Sequence, residues 1–175
     1  MQIKGDSSIN KLILLFVFDK MEAPLSETTV LDMCCSANNW ITYMDCQPVM
    51  KNLKDLGWIS DIGSTQGEPL YSITPDGRVC LANFFFKIPA SLREEISQFI
   101  KQNKVKYRRK QECPANYYKS KDGSYTVYLK ILQPSGALME LKFVVADRQI
   151  AKDIYKKWDE KAVNVYSVLY GELVD

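Results

Sequence analysis

The feature that most constrains this chain is a change of hydrophobic period after about residue 110. Upstream, apolar residues recur at helical spacing, as in Ile9, Leu12, Ile13, Phe16 and Val17. Downstream, Tyr125, Val127, Leu129 and Ile131 alternate with Thr126, Tyr128 and Lys130, and Met139, Leu141, Phe143 and Val145 repeat the pattern. Mainly helical and then strand-like segments in succession define an α+β chain. At 175 residues it has room for one domain or two small ones, and 46% apolar against 25% charged residues excludes wholesale disorder.

The chain reads in order as follows. Ser8 caps a helix through about Lys20, and Pro24 with Leu25 breaks it. Ser26 caps a second helix over Thr28 to Cys35, with Val30, Leu31 and Cys35 on its apolar side and Glu27 at its positive end. Residues 36–44 form an irregular link with Trp40 and Tyr43 as aromatic anchors. Asp45 as N-cap places Pro48 in the first turn of a third helix, Cys46 to about Leu56, stopped by Gly57. Its core face is expected to hold Val49, Leu53 and Leu56. Residues 57–62 and 70–73 make a hairpin around a 63–67 tip. Thr74 with Pro75 then opens a fourth helix bearing Val79, Leu81, Ala82 and Phe85. Three helices, a hairpin and a closing helix follow the plan of a winged helix-turn-helix.

The capping box Ser91-Leu92-Arg93-Glu94 starts a connecting helix ending near Asn103. A small antiparallel sheet covered by helices completes the chain. Asp122-Gly123 turns one hairpin, Pro134-Ser135-Gly136 turns another, and Asp147 caps a helix through Trp158. A separate last helical stretch carries Val163, Tyr166, Leu169 and Leu173. The expected organisation is a winged-helix unit at 1–88, a connecting helix at 89–104 and a small α+β domain at 105–175.

Ile9-Asn10-Lys11-Leu12-Ile13, Ala23-Pro24-Leu25-Ser26, Gln47 through Leu53 to Gly57-Trp58-Ile59, and Leu70-Tyr71-Ser72-Ile73-Thr74-Pro75-Asp76-Gly77 carry a resemblance, continued by Ile88-Pro89 to Glu95-Ile96. Together they resemble a domain-of-unknown-function family of clostridia-type bacteria whose N-terminal half is similar to PadR- and MarR-type winged-helix regulators. The resemblance implies a dimeric bacterial transcription regulator and supplies neither ligand nor operator.

Gln47, Lys51 and Lys54 share one face of the third helix, where long donors suit base edges and phosphates in a major groove. The bland alternative is a solvated face, with Asp45 and Asp55 cancelling both lysines. At the hairpin tip only Thr65, Gln66 and Ser64 offer polar side chains, so wing readout is weak. Lys101, Lys104, Lys106, Arg108, Arg109 and Lys110 form a basic run, read either as phosphate contacts through Arg108, Arg109 and Lys110 or as a solvated junction. Phe86 and the stripe Leu92, Ile96, Phe99, Ile100 are the expected dimer surface, because Phe84-Phe85-Phe86 cannot all face one core.

With a net charge of +2, any nucleic-acid footprint must be local. The absence of histidine excludes Ser-His-Asp and Cys-His nucleophiles and histidine zinc sites. The five cysteines, two of them adjacent, read as reduced, partly buried thiols. There is no signal-peptide pattern, and the apolar run Leu12 to Phe18 is far short of the roughly 20 residues of a spanning helix. The expectation is therefore a cytoplasmic, non-enzymatic DNA-binding homodimer without cofactor. Alternatives are a winged-helix protein-interaction module and a regulator that senses a ligand through its C-terminal domain.

Overall fold

A computed structural model describes residues 7–65, 67–133 and 135–174. The class is α+β: helices and two three-stranded antiparallel sheets, divided into one compact unit up to Val105 and another from Lys106. The boundary falls inside a single helix.

In the first unit, α1 (Ser7–Met21) is buried nearly all round, from Leu12 through Phe18 to Met21. A helix apolar on every side must sit at the centre of its unit, and α1 contacts both the third and fourth helices. Strand β1 (Leu25–Ser26) ends at Ser26, whose Oγ accepts the Thr29 N–H at 3.1 Å and so caps α2 (Glu27–Leu31). The chain then widens into a π-helical turn, Asp32–Ala37, that the sequence pattern does not reveal. The wider turn shifts the buried side to Val30, Met33 and Cys34, whereas Leu31 and Cys35 are only half-buried. Trp40 is an anchor, as expected: its ring lies edge-on to Phe99 at 5.5 Å and its Nε1 donates to Glu95 at 2.8 Å. Tyr43 is not; it is exposed.

Helix α3 (Tyr43–Asp55) begins three residues earlier than Asp45 capping would allow. Thr42 is the cap, accepting the Asp45 N–H at 3.2 Å while its hydroxyl donates to the Asp45 carboxylate at 2.7 Å. This reciprocal pair outweighs the one backbone hydrogen bond, to the Met44 carbonyl, that Pro48 cannot make inside the helix. The C-terminus is a Schellman motif: Gly57 at φ +70° donates to Lys54 and Trp58 donates to Leu53, both at 3.0 Å. Leu56, beyond the last helical residue, is 46% exposed, so the core stripe is Cys46, Val49, Met50 and Leu53.

Strands β2 (Ile59–Thr65) and β3 (Glu68–Ile73) form a longer hairpin than 57–62 and 70–73, with β1 on the far side of β3. A bulge lies between Asp61 and Gly63. Gln66, at the tip, lies outside the described residues. Helix α4 (Pro75–Phe84) is capped by Thr74, which accepts the Gly77 N–H at 3.1 Å and donates to the Gly57 carbonyl at 2.7 Å. Leu81 and Gly77 are its buried residues, while Val79 and Ala82, expected on the apolar side, are exposed. A 3-10 turn, Phe85–Lys87, follows, with Phe85 edge-on to Phe16 at 5.1 Å.

Helix α5 runs unbroken from Ala90 to Glu112. Its first turn closes on the Pro89 carbonyl, which accepts from Arg93 at 3.0 Å, so Ser91 lies inside the helix and is not its cap. Nor does Asn103 end it. The Asn103 amide donates back to the Phe99 carbonyl at 2.9 Å, which satisfies the side chain without opening the backbone. The basic run that follows consists of good helix formers and simply continues it.

In the second unit, β4 (Ala115–Lys119), β5 (Tyr125–Gln133) and β6 (Gly136–Val145) pair in chain order, all antiparallel. Asp122-Gly123 turns the first hairpin as expected, with Gly123 at φ +89° donating to Ser120. Pro134 in the second turn lies outside the described residues. Helix α6 (Arg148–Val174) starts where Asp147 accepts the Ile150 N–H at 3.0 Å. It is one helix and not two, since no breaker separates Trp158 from Val163. Val127, Leu129 and Ile131 pack with Ala151, Trp158 and Ala162 to make this unit's core. The Trp158 N–H, which burial would otherwise leave unpaired, reaches the Lys130 carbonyl at 3.0 Å. Among the described residues no helix is long and apolar enough to cross a membrane.

Candidate nucleic-acid interface

Burial of Cys46, Val49, Met50 and Leu53 fixes the rotation of α3 and therefore fixes what its other side offers. That side carries Met44, Gln47, Pro48, Lys51 and Asp55, all exposed. Gln47 and Lys51 stand as the sequence placed them. Gln47 Nε2 donates to the Tyr43 hydroxyl at 3.3 Å, a contact weak enough to release the amide to a partner.

Lys54 differs. Its ammonium lies 3.6 Å from Glu27 and 4.8 Å from the centre of the Tyr71 ring, so its charge is already answered from α2 and β3. Among the described residues, Lys51 is thus the cation of this face without such a partner. Tyr43, Met44 and Pro48, which the sequence reading did not include, lie beside Gln47 and Lys51 along one open cleft. Met44 is 85% exposed. Their signal was Thr42-x-x-Asp45: a start at Thr42 puts Tyr43 and Met44 on the helix.

The hairpin carries acids at both shoulders, and both are engaged. Asp61 Oδ1 accepts the Gly63 N–H at 3.0 Å, while Glu68 Oε1 accepts the Thr28 N–H at 2.8 Å and its hydroxyl at 2.6 Å. Thr65 pairs through its backbone with Glu68. Gln66 lies outside the described residues.

Arg108, Arg109 and Lys110 are exposed and helical, so successive side chains point about 100° apart and do not line one edge. Arg108 pairs with Glu112 at 3.6 Å, Lys110 sits 5.8 Å over the Tyr107 ring, and Lys104 pairs with Glu22 at 2.9 Å. That last contact holds the Glu22 carboxyl below its usual range.

The stripe expected to join two subunits is largely used inside one. Ile96 and Ile100 are buried, Leu92 is half-buried, and Phe99 packs on Trp40. Phe86, in contrast, is 72% exposed. A second exposed apolar surface lies at the end of α6. There Val168, Leu169, Tyr170, Leu173 and Val174 continue past the part of the helix that covers the sheet, and Leu173 is 81% exposed.

Burial pushes up the thiols of Cys34, Cys35, Cys46, Cys80 and Cys113, so each is protonated at neutral pH and a poor nucleophile. Among the described residues no three His, Cys, Asp or Glu side chains gather as metal ligands would.

The fold and this surface define a two-unit α+β protein with one helix of its first unit exposed along a polar and apolar face. The chain belongs to the family described as a domain of unknown function, DUF4364, which matches residues 10–173. No curated protein matches it.

Proposed function

We propose that the protein is a winged helix-turn-helix transcription regulator that binds double-stranded DNA as a homodimer, with α3 as its recognition helix. The observation that carries this reading is the outer face of α3. A helix locked by a buried stripe offers Gln47 to a base edge, Lys51 to a phosphate and Met44 to a thymine methyl. The resemblance of the N-terminal half to PadR- and MarR-type regulators supports it, and such work belongs in the cytoplasm of a bacterium. Lys54 acts indirectly, bracing α3 against α2 and β3. The hairpin contributes backbone N–H groups and Thr65 in place of charge.

A second reading draws on the same face. Tyr43, Met44 and Pro48 are apolar, and Asp55 offsets Lys51, which favours a protein partner over a polyanion. Selection of bound fragments from random duplex DNA separates the two. The regulator should enrich a motif with two related half-sites, and Gln47→Ala should relax one position of each. Recovery of no motif would leave the interaction module.

The basic run gives a further expectation. Replacing Arg108, Arg109 and Lys110 together by Gln should weaken DNA binding by about threefold to tenfold at moderate salt, with the same motif retained. The effect is held to that size because the three do not share one face and Arg108 already has Glu112. An unchanged affinity would make the run a solvated helix surface alone.

A further inference from the structure

A cleft of about 670 Å³ opens between α1, α4 and α5, all within the first unit. Its volume suits a small organic molecule. The apolar wall is Phe16, Leu81 and Phe85, with the two rings edge-to-face at 5.1 Å. Cations line the rim: Lys20, Arg78 and Arg93.

These cations are not equivalent. Arg78 has Asp19 at 3.5 Å, and Lys20 sits 5.7 Å over the Phe16 ring. Arg93 lies with its guanidinium 4.8 Å over Phe85, and among the described residues no carboxylate, carbonyl or hydroxyl accepts from that guanidinium. Its Nε is buried and unpaired. Only Nε is closed to solvent, so the terminal nitrogens are the donors left open to a ligand in the cleft. Two acids face these three cations, Asp19 paired with Arg78 and Glu94 bonded only to the neutral Gln98 amide at 2.9 Å, so the balance of charge at the cleft is positive.

We propose that this cleft binds a small apolar carboxylate, its anionic head on Arg93 and Lys20 and its body against Phe16, Leu81 and Phe85. The guanidinium offers a planar fork that a carboxylate matches with two hydrogen bonds, and the Phe85 ring 4.8 Å away steadies it. Because the site is formed by α1, α4 and α5, it stands whether or not α3 meets DNA.

Calorimetric titration of the full chain with 1-naphthoate, and with the neutral 1-naphthalenemethanol as its partner probe, tests the proposal. Naphthoate should bind with a Kd of roughly 0.1–1 mM, as its size allows, and the alcohol about tenfold more weakly or not at all. Arg93→Gln should bring naphthoate down to the level of the alcohol, and Arg93→Lys, which keeps charge but not the fork, should fall between. Ala82→Phe, filling the cleft from α4, should weaken both probes. Octanoate reports the source of the apolar body: binding equal to naphthoate marks an alkyl-tolerant site, weaker binding an aromatic one, and both keep the carboxylate. Three results would overturn the proposal: no heat up to about 10 mM, equal binding of acid and alcohol, or unchanged naphthoate binding in an Arg93→Gln protein that melts like the parent.

Discussion

Replacing Gly77 by alanine is expected to lower the melting temperature by roughly 4–8 °C, the equivalent of about 2 kcal/mol for a chain of this length. A methyl group there would lie 2.2 Å from the Trp58 carbonyl oxygen and 2.9 Å from Ile73 Cγ1. The first of these is backbone, held in place because the same carbonyl accepts the Thr74 N–H at 2.9 Å. Relieving the overlap means lifting the start of α4 away from the β2–β3 hairpin, at a cost of about 3 kcal/mol. The better helix propensity of alanine returns about 1 kcal/mol of that. Gly171 is the control. It is helical, with nothing within 4 Å of an added Cβ, so Gly171→Ala should stabilise by about 0.5 kcal/mol. Thermal melts of both variants decide it: equal shifts would mean that the close approach at Gly77 has no weight.

The largest effect on function is expected from the end of α6. Leu169→Asp together with Leu173→Asp should turn a dimer of twice 20.1 kDa into a monomer by light scattering, while the protein stays folded. The tail residues lie beyond the sheet-covering stretch, so two carboxylates there would disturb the proposed subunit contact and little of the core. If DNA is read through two half-sites, loss of the dimer removes the effective concentration of the second site. Affinity should then drop by about two orders of magnitude. A parent protein that is already a monomer at micromolar concentration would remove the homodimer itself, whereas a dimer that survives both substitutions would make exposed Phe86 the remaining apolar candidate.

Much of this architecture could be read from single side chains. Ser26, Thr74 and Asp147 cap the helices they were expected to cap, because one oxygen meeting one N–H is a local event. Gly57 stops α3 for the same reason. Errors arose where two local rules competed. Pro48 argued for a late start of α3, and the Thr42–Asp45 pair won because it joins two side chains and a backbone group. Asn103 looked like a helix end and became an internal residue by bonding to Phe99. The π-helical turn at Asp32–Ala37 has no periodic signature of its own, and it displaced the buried side of that segment by several residues.

The candidate site was half legible. Gln47 and Lys51 followed from the stripe opposite them, since a helix that buries Val49 and Leu53 must show its other side. Lys54 could not be told apart from Lys51, because its partners Glu27 and Tyr71 lie 27 and 17 positions away and meet it only in the folded state. The fate of Ile96 and Ile100 was equally hidden: an apolar stripe looks the same whether it meets its own subunit or another. Arg93 carried no sequence signal, as its isolation depends on what the fold leaves out of reach.

That difference between two lysines one turn apart gives the sharpest test of α3 as a DNA-reading helix. The measurement is the slope of log affinity against log salt concentration for the parent, Lys51→Ala and Lys54→Ala on the selected duplex. Lys51→Ala should shallow the slope by roughly one unit per subunit, and Lys54→Ala by much less, because its charge is already paired with Glu27. A slope that Lys51→Ala leaves unchanged would contradict the assignment of this face to DNA.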